Sequence, residues 1–376
     1  MEENNINCPY LHSGLHVWTD GTVSPCCDYE GKLFNSNGEE FKIQNNHLNE
    51  IFNSSHMNEL RKNFKNKEIP TGCNKCFERE KLGLQSRRTM AAYRLENIIN
   101  KINYDGDNPI RYIGAHPTNH CNLSCRICNS DFSSVIETED KKNGISTNKK
   151  DRPVNELYNQ ISDLNELCNF EILGGEPFLV KNHIEYMKKI INSGVSKHSI
   201  FQFTTNGTIF PDFFNEKFEF KRLEITFSID DIGPRFEYQR NGAKWEQVNE
   251  NIKKFREFRS KNKNVKLNVC VTINILNVYY LNELMDWFKK SKLNNIFFNI
   301  LKDPEYLSIE NLTENGKILV NQKLNKTFSP VKEILMKSTN SDGIKFIENI
   351  KIRDKIRNQN IMDHHGEIAL AMGFIN

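Results

Sequence analysis

The sequence has no apolar stretch of the length a membrane helix needs. About 18 consecutive apolar residues mark a spanning helix, and polar residues interrupt every hydrophobic run here. Its start, MEENNINCPY, has neither the basic n-region nor the apolar h-region of a secretory signal. Together these absences lead to the expectation of a cytoplasmic protein. Net charge is small, +3 over 376 residues, so neither nucleic acid nor an acidic membrane surface is expected as a partner. No internal repeat is visible, which leaves out solenoids and propellers.

What the chain does have is cysteine. Ten cysteines in a reducing compartment favour metal ligation over disulfides. Cys8, Cys26, Cys27, Cys73 and Cys76 fall near the start, Cys121, Cys125 and Cys128 follow as a triplet, and Cys168 and Cys270 stand alone. The isolated two read as ordinary small residues of a core or lumen.

Hydrophobic residues make up 38% and charged residues 26% of the chain. That is enough for two or three domains, or for one large α/β barrel with an appendage. After the triplet, and just before it, β-rich runs alternate with helical patterns. The runs lie at 110–115, 168–173, 199–205, 223–229, 265–273 and 295–301. Helical spacing is seen in HIEYMKKIINSG, with Gly194 as its C-cap, in WEQVNENIKKFREF and in YLNELMDWFKKSK. This alternation predicts βαβ units and a parallel sheet, better suited to a partial (β/α)6 barrel than to a closed one of eight units. The α/β barrel is expected over 108–310, after a turn-rich, cysteine-punctuated domain at 1–107. Residues 311–376 read as a mainly helical extension, and 138–153, TEDKKNGISTNKKDRP, as a polar loop.

Within LEITFSID, Leu223, Ile225, Phe227 and Ile229 share one face, and Glu224, Thr226, Ser228 and Asp230 the other. A parallel strand buried on both faces is normally apolar throughout. VKLNVCVTI repeats the alternation, with Asn268, Cys270 and Thr272 opposite Val269, Val271 and Ile273. A polar lumen fits both strands; an exposed edge strand is the plain alternative.

Iron–sulfur clusters of the [4Fe–4S] type are normally held by four thiolates, and CNLSCRICNS has three. No further Cys-Pro follows Cys128, as the two-cluster ferredoxin run requires. No second cysteine pair or histidine set follows at zinc-ribbon spacing, and His120 sits too close to Cys121 to share its metal. A three-thiolate site leaves one iron open, and an open position is where a substrate or cofactor binds, as in catalytic zinc sites.

The CX3CX2C triplet resembles the signature of the radical S-adenosylmethionine (SAM) superfamily. Three downstream stretches resemble that family in its own order. ILGGEPFL carries Gly174, Gly175, Glu176 and Pro177 in place of its GGEP motif, which contacts the SAM amino group. FTTNGT carries Thr204 and Asn206, near the SAM ribose by resemblance. SIDD and YQRNGAKW carry Ser228, Asp230 and Arg240, the last resembling the basic residue that pairs the SAM carboxylate, a role that suits the two-pronged guanidinium. Read alone, these are a strand-to-helix turn, an Asn-Gly turn, a solvated face and a surface arginine. The residue before the last cysteine is often aromatic in the family and is Ile127 here.

Cys8, twelve residues, Gly21, four residues and Cys26 resemble the CX9–15GX4C opening of the auxiliary-cluster region in the SPASM and twitch groups. TGCNKC adds Cys73 and Cys76. The resemblance implies Cys8, Cys26, Cys73 and Cys76 as ligands of one auxiliary cluster, with Cys27 as a substitute; on donor chemistry alone zinc is the alternative. In most relatives this region follows the barrel; here it precedes it.

The resemblance implies an enzyme that holds a [4Fe–4S] cluster and SAM, generates a 5′-deoxyadenosyl radical and takes hydrogen from a substrate. A peptide or protein side chain is the first expectation for that substrate, and a small molecule or nucleotide the second. A flavodoxin or ferredoxin is the expected electron donor. A non-catalytic electron-transfer protein would account for the cysteines but not for GGEP or the polar strand faces.

Overall fold

The computed structural model describes residues 7–147, 152–215 and 219–374. Its strands are β1 (Gly14–Val17), β2 (Val23–Ser24), β3 (Tyr112–Ala115), β4 (Ser124–Cys125), β5 (Asn169–Ile172), β6 (Ile200–Thr205), β7 (Arg222–Ser228), β8 (Arg240–Asn241), β9 (Val265–Ile273) and β10 (Asn295–Ile300). Every run expected after residue 108 is a strand. The protein is α/β, with an eight-stranded, mostly parallel sheet in the order β10-β9-β7-β6-β5-β3-β1-β2, and β4 and β8 as a separate ladder.

The sheet has more strands than the six expected. β1 pairs parallel with β3, and β2 pairs antiparallel with β1. Both come from the cysteine-rich segment, where turns alone were read. That segment also forms helices at Ser55–Lys65 and Asn74–Lys81. The sequence hid β1 because GLHV is too short to show a period-2 pattern.

The chain forms two compact units. One comprises 1–120, 148–203 and 216–224; the other comprises 121–147, 204–215 and 225–376. In the first, Phe170 and Phe201 stack with centroids 4.3 Å apart beneath the helix Lys181–Asn192, whose His183, Tyr186 and Met187 are buried. That helix is capped by Ser193, and Gly194 takes the left-handed position just beyond it, at φ +76°. In the second, Phe214 and Phe227 both meet Phe255. Phe255 lies on Trp245–Lys261, a helix with Val248, Ile252, Phe255 and Phe258 buried at three- and four-residue spacing.

The polar loop expected at 138–153 is in part a helix. Ser134–Lys142 is helical and capped by Ser133, whose side chain accepts from the Ile136 N–H. Residues 148–151 of that expectation lie outside the described residues. The tail is helical, at Glu314–Lys323, Ser329–Lys337, Ile344–Arg357 and Met362–Ala371. No helix among the described residues is long and apolar enough to cross a membrane.

Candidate active site and cluster centres

The triplet loop is built on β4. Its Ser124 and Cys125 pair antiparallel with Asn241 and Arg240 of β8, and the Arg126 N–H donates to the Gln239 carbonyl at 2.8 Å. The Asn241 amide donates to Ser124 Oγ at 2.8 Å. At the loop's start, Ser134 Oγ lies 3.2 Å from both the nitrogen and the oxygen of Cys121. Asn206 donates to Asn122 Oδ1 at 2.9 Å, and Asn122 donates to Thr208 Oγ1 at 2.9 Å. Asn206, expected near a ribose, thus holds the residue beside Cys121. Thr204 and Ser228 are half-buried at the ends of β6 and β7.

The three thiols lie close enough to oppose one another's ionisation. Burial raises the Cys128 thiol far above its ordinary value, and Cys125 and Cys121 raise it further. Burial also raises Cys125, against the pull of Arg240. Buried thiols such as Cys125 and Cys128, which resist losing protons alone, become thiolates when a cationic centre supplies the charge. The donor set therefore fits a cluster.

Arg240 and Asp230 are both buried. They form an ion pair at 2.7 Å, and Asp230 also accepts the Thr272 N–H at 2.8 Å. Arg240 donates to Cys125 Sγ at 3.8 Å. The arginine expected to pair a carboxylate of SAM has a protein carboxylate and a cysteine sulfur as its neighbours here.

In the other unit, Gly174 and Gly175 have φ of +75° and +59°. A Cβ at Gly175 would lie 2.2 Å from the His120 carbonyl oxygen, and one at Gly174 would lie 2.8 Å from His116 Cβ. Only glycine fits both positions. The turn is thereby seated on His120, which directly precedes Cys121. The Glu176 N–H donates to the His120 carbonyl at 2.8 Å. Glu176 is fully buried, and its Oε1 accepts the Phe178 N–H as the cap of the turn Pro177–Leu179. Its carboxylate, read from sequence as an acceptor for an ammonium group, caps backbone in this structure.

The N-terminal cysteines also interact. Cys73 is the N-cap of Asn74–Lys81, and Cys76 lies in the first turn of that helix. Burial raises the Cys73 thiol to about 12, with Cys8 and Cys76 adding to it. Burial likewise raises Cys26, and among its neighbours are Cys27 and Cys8. The structure therefore brings Cys8, Cys26, Cys73 and Cys76 together. Cys27 has a different main neighbour: after burial, Arg87 acts on it most strongly. Among the described residues, no three His, Cys, Asp or Glu side chains converge as tightly as a single ion requires.

Sequence reading missed a polar row in the first unit. One register line of the sheet runs His16–Gly114–Glu171–Gln202. A Cβ on Gly114 would lie 2.4 Å from His16 Nδ1, so this glycine makes room for the imidazole. His16 Nε2 lies 2.7 Å from His116 Nδ1, and His116 stacks on Trp18. Burial lowers His116 to about 4. Glu171 pairs with Arg87 and with Arg94, the latter at 2.8 Å, and accepts the Tyr112 hydroxyl at 2.6 Å. Burial opposes ionisation of Glu171, yet the two guanidiniums hold it far below the usual carboxylate range. The glutamate in CNFEIL and the glutamine in SIFQFTT were the available signal; Arg87 and Arg94, from a segment without motif, gave none.

Comparison with known proteins agrees with this chemistry. Residues 115–290 match the radical SAM superfamily, and residues 8–77 match an iron–sulfur cluster-binding domain, SPASM. The chain carries a radical SAM domain and, N-terminal to it, an iron–sulfur cluster-binding SPASM domain. The two domains imply a SAM-binding [4Fe–4S] cluster and an auxiliary iron–sulfur cluster. No curated protein matches the chain. Among solved structures, native anSMEcpe with bound AdoMet and the Cp18Cys peptide is 18% identical, with a TM-score of 0.40 over 62% of this chain and 63% of that one. SuiB of Streptococcus suis bound to S-adenosylmethionine is 12% identical, with a TM-score of 0.38 over 91% of this chain and 70% of that one. SuiB bound to its precursor peptide SuiA is also 12% identical, with a TM-score of 0.36 over 92% and 71%.

Proposed function

We propose that the chain is a radical SAM enzyme that modifies a peptide or protein side chain. The observation that carries the radical chemistry is the mutual proximity of Cys121, Cys125 and Cys128, with Arg240 donating to the Cys125 sulfur. Cys121, Cys125 and Cys128 would hold the [4Fe–4S] cluster, which would supply the electron for reductive cleavage of SAM and so the chemistry for hydrogen abstraction from the substrate. The protein's own part is positioning and exclusion of water. Asn206 and Ser134 hold the loop at Asn122 and Cys121, and Arg240 directs an N–H at the Cys125 sulfur. Gly174 and Gly175 let the GGEP turn pack closely on His116 and His120, and Thr204, Ser228 and Asp230 supply polar groups at strand ends.

Cys8, Cys26, Cys73 and Cys76 would hold the auxiliary cluster. Four protein thiolates leave no vacancy for substrate, which supports an electron-transfer role there. A flavodoxin or ferredoxin fits as the external donor. The peptide assignment rests on the SPASM domain, whose bearers often act on peptides. A short precursor peptide encoded beside this gene would favour it; SAM-dependent turnover of a small molecule or nucleotide, with no peptide product, would replace it.

The radical assignment is tested with protein reconstituted with iron and sulfide and reduced with dithionite. SAM should be cleaved to 5′-deoxyadenosine, and Cys125→Ala should abolish cleavage. Undiminished cleavage in that variant sinks the assignment.

A further inference from the structure

The helix Ile344–Arg357 lies outside both matched segments, yet its Asp354 contacts Arg126 in the middle of the triplet loop. Arg126, between Cys125 and Cys128, is 3% exposed. Its Nη2 donates to Asp354 and, at 2.8 Å, to Gln359 Oε1. Its guanidinium lies 3.7 Å from the centroid of the Tyr238 ring, and the Tyr238 hydroxyl donates to the same Asp354 oxygen at 2.9 Å. The other Asp354 oxygen accepts the Ile361 N–H at 2.9 Å.

Contacts from Arg357, Arg353 and Gln359 frame the loop. Arg357 donates to Glu139 through Nε and Nη2, at 3.0 and 2.8 Å, and Arg353 pairs with Glu139 and Asp140 at 2.8 and 2.5 Å. Glu139 and Asp140 belong to Ser134–Lys142, the helix that begins just after the loop. Gln359 donates to Asn241 Oδ1 at 3.2 Å, on the strand that pairs with Ser124. The tail thus grips the loop in its middle, the helix behind it and the strand beside it.

The charges are placed as well as the contacts. The Arg357 side chain is 3% exposed. Arg126 Nη1 and Arg357 Nη1 are buried N–H groups with no hydrogen-bond partner. An unpartnered buried donor is costly, and an anionic cluster with its thiolates is a group that would satisfy it. Arg357 is also among the cations that favour the Cys125 thiolate.

We propose that Asp354 and Arg357 are positioning residues that hold the Cys121–Cys128 loop and set the reduction potential of the cluster it would carry. This rests on the triplet as the cluster site. Net charge near a cluster sets its potential, so the two members of the Arg126–Asp354 pair act in opposite senses. Asp354→Asn leaves the buried Arg126 cation uncompensated and favours the reduced cluster. Arg126→Gln leaves the carboxylate and favours the oxidised cluster.

The test is an EPR-monitored redox titration of the reconstituted full chain, in the Cys73→Ser/Cys76→Ser background so that only the triplet cluster contributes. Asp354→Asn should move the reduction equilibrium about tenfold toward the reduced form, about +59 mV for one electron. Arg126→Gln should move it by a similar factor the other way, and the double variant should return toward the parent. Opposite shifts at equal iron content support the proposal, because a merely structural role gives no sign reversal. Equal or absent shifts at equal iron content overturn it. If Asp354→Asn does not fold, Arg357→Gln carries the same test, with a shift toward the oxidised form in support and an unchanged potential against. A parent protein without a reducible cluster would instead fail the reading of the triplet.

Discussion

Arg240 and Asp230 form a buried ion pair at 2.7 Å, and the same guanidinium donates to the sulfur of Cys125. The pair ties β8, which pairs with the triplet loop, to the end of β7 and, through the Thr272 N–H, to β9. A buried pair costs little to keep and much to break, because removing one member strands the other's charge. Asp230→Asn should therefore destabilise the apo protein by about 3–5 kcal/mol, while Asp230→Asn with Arg240→Met recovers most of the loss. Urea unfolding of the four members of the cycle measures this. An interaction energy near zero would show that the two residues act separately.

Gly175→Ala is expected to harm the GGEP turn more than a single methyl group normally does. The added Cβ meets the His120 carbonyl at 2.2 Å, on a backbone at φ +59°. The cost is about 1–3 kcal/mol for the conformation alone, and the turn must move away from the residue before Cys121. SAM binding, followed by equilibrium dialysis with the reconstituted protein, should weaken at least tenfold. Binding equal to wild type would remove the turn from the SAM site.

Iron content separates the two centres. Wild type should hold about eight irons per chain, four for each cluster. Cys73→Ser/Cys76→Ser should hold about four and keep the signal of the triplet cluster. Stoichiometric zinc in the wild type would reject the auxiliary iron–sulfur assignment.

Acid should unfold the first unit partly through His183. This side chain is 1% exposed, its Nδ1 meets the Tyr158 hydroxyl, and burial lowers it to about 3. In the unfolded chain it titrates near 6.5. Between these values the unfolded state binds more protons, so its contribution is intact above pH 6.5 and is lost as pH falls toward 3. At pH 4 the loss from this one group is about 3 kcal/mol. Thermal melts of apo protein from pH 7 to 4 should fall steeply, and His183→Gln should flatten the fall. An unchanged slope in that variant would place the acid sensitivity elsewhere.

Much of this was legible in the sequence because it is local. Period-2 alternation marked β7 and β9, and apolar runs between helical patterns marked β3, β5, β6 and β10. A spacing of cysteines, and a Gly-Gly pair after a strand, marked the two centres and the turn. Apart from the N-terminal cysteines, spread from Cys8 to Cys76, each signal sits within about ten residues, where backbone geometry alone ties side-chain direction to sequence position.

What the tertiary structure decided is which distant groups meet. It seated β1 and β2, from the cysteine-rich segment, on the edge of β3. It turned Glu176 into a cap, gave Arg240 a carboxylate partner, and assembled Glu171 with Arg87 and Arg94 in a row no motif announced. It also gave the tail its contacts: Asp354 reaches Arg126 across more than two hundred residues. Buried charges find partners by proximity in space, because desolvation penalises each of them alone, and nothing in the linear order of residues records that pairing.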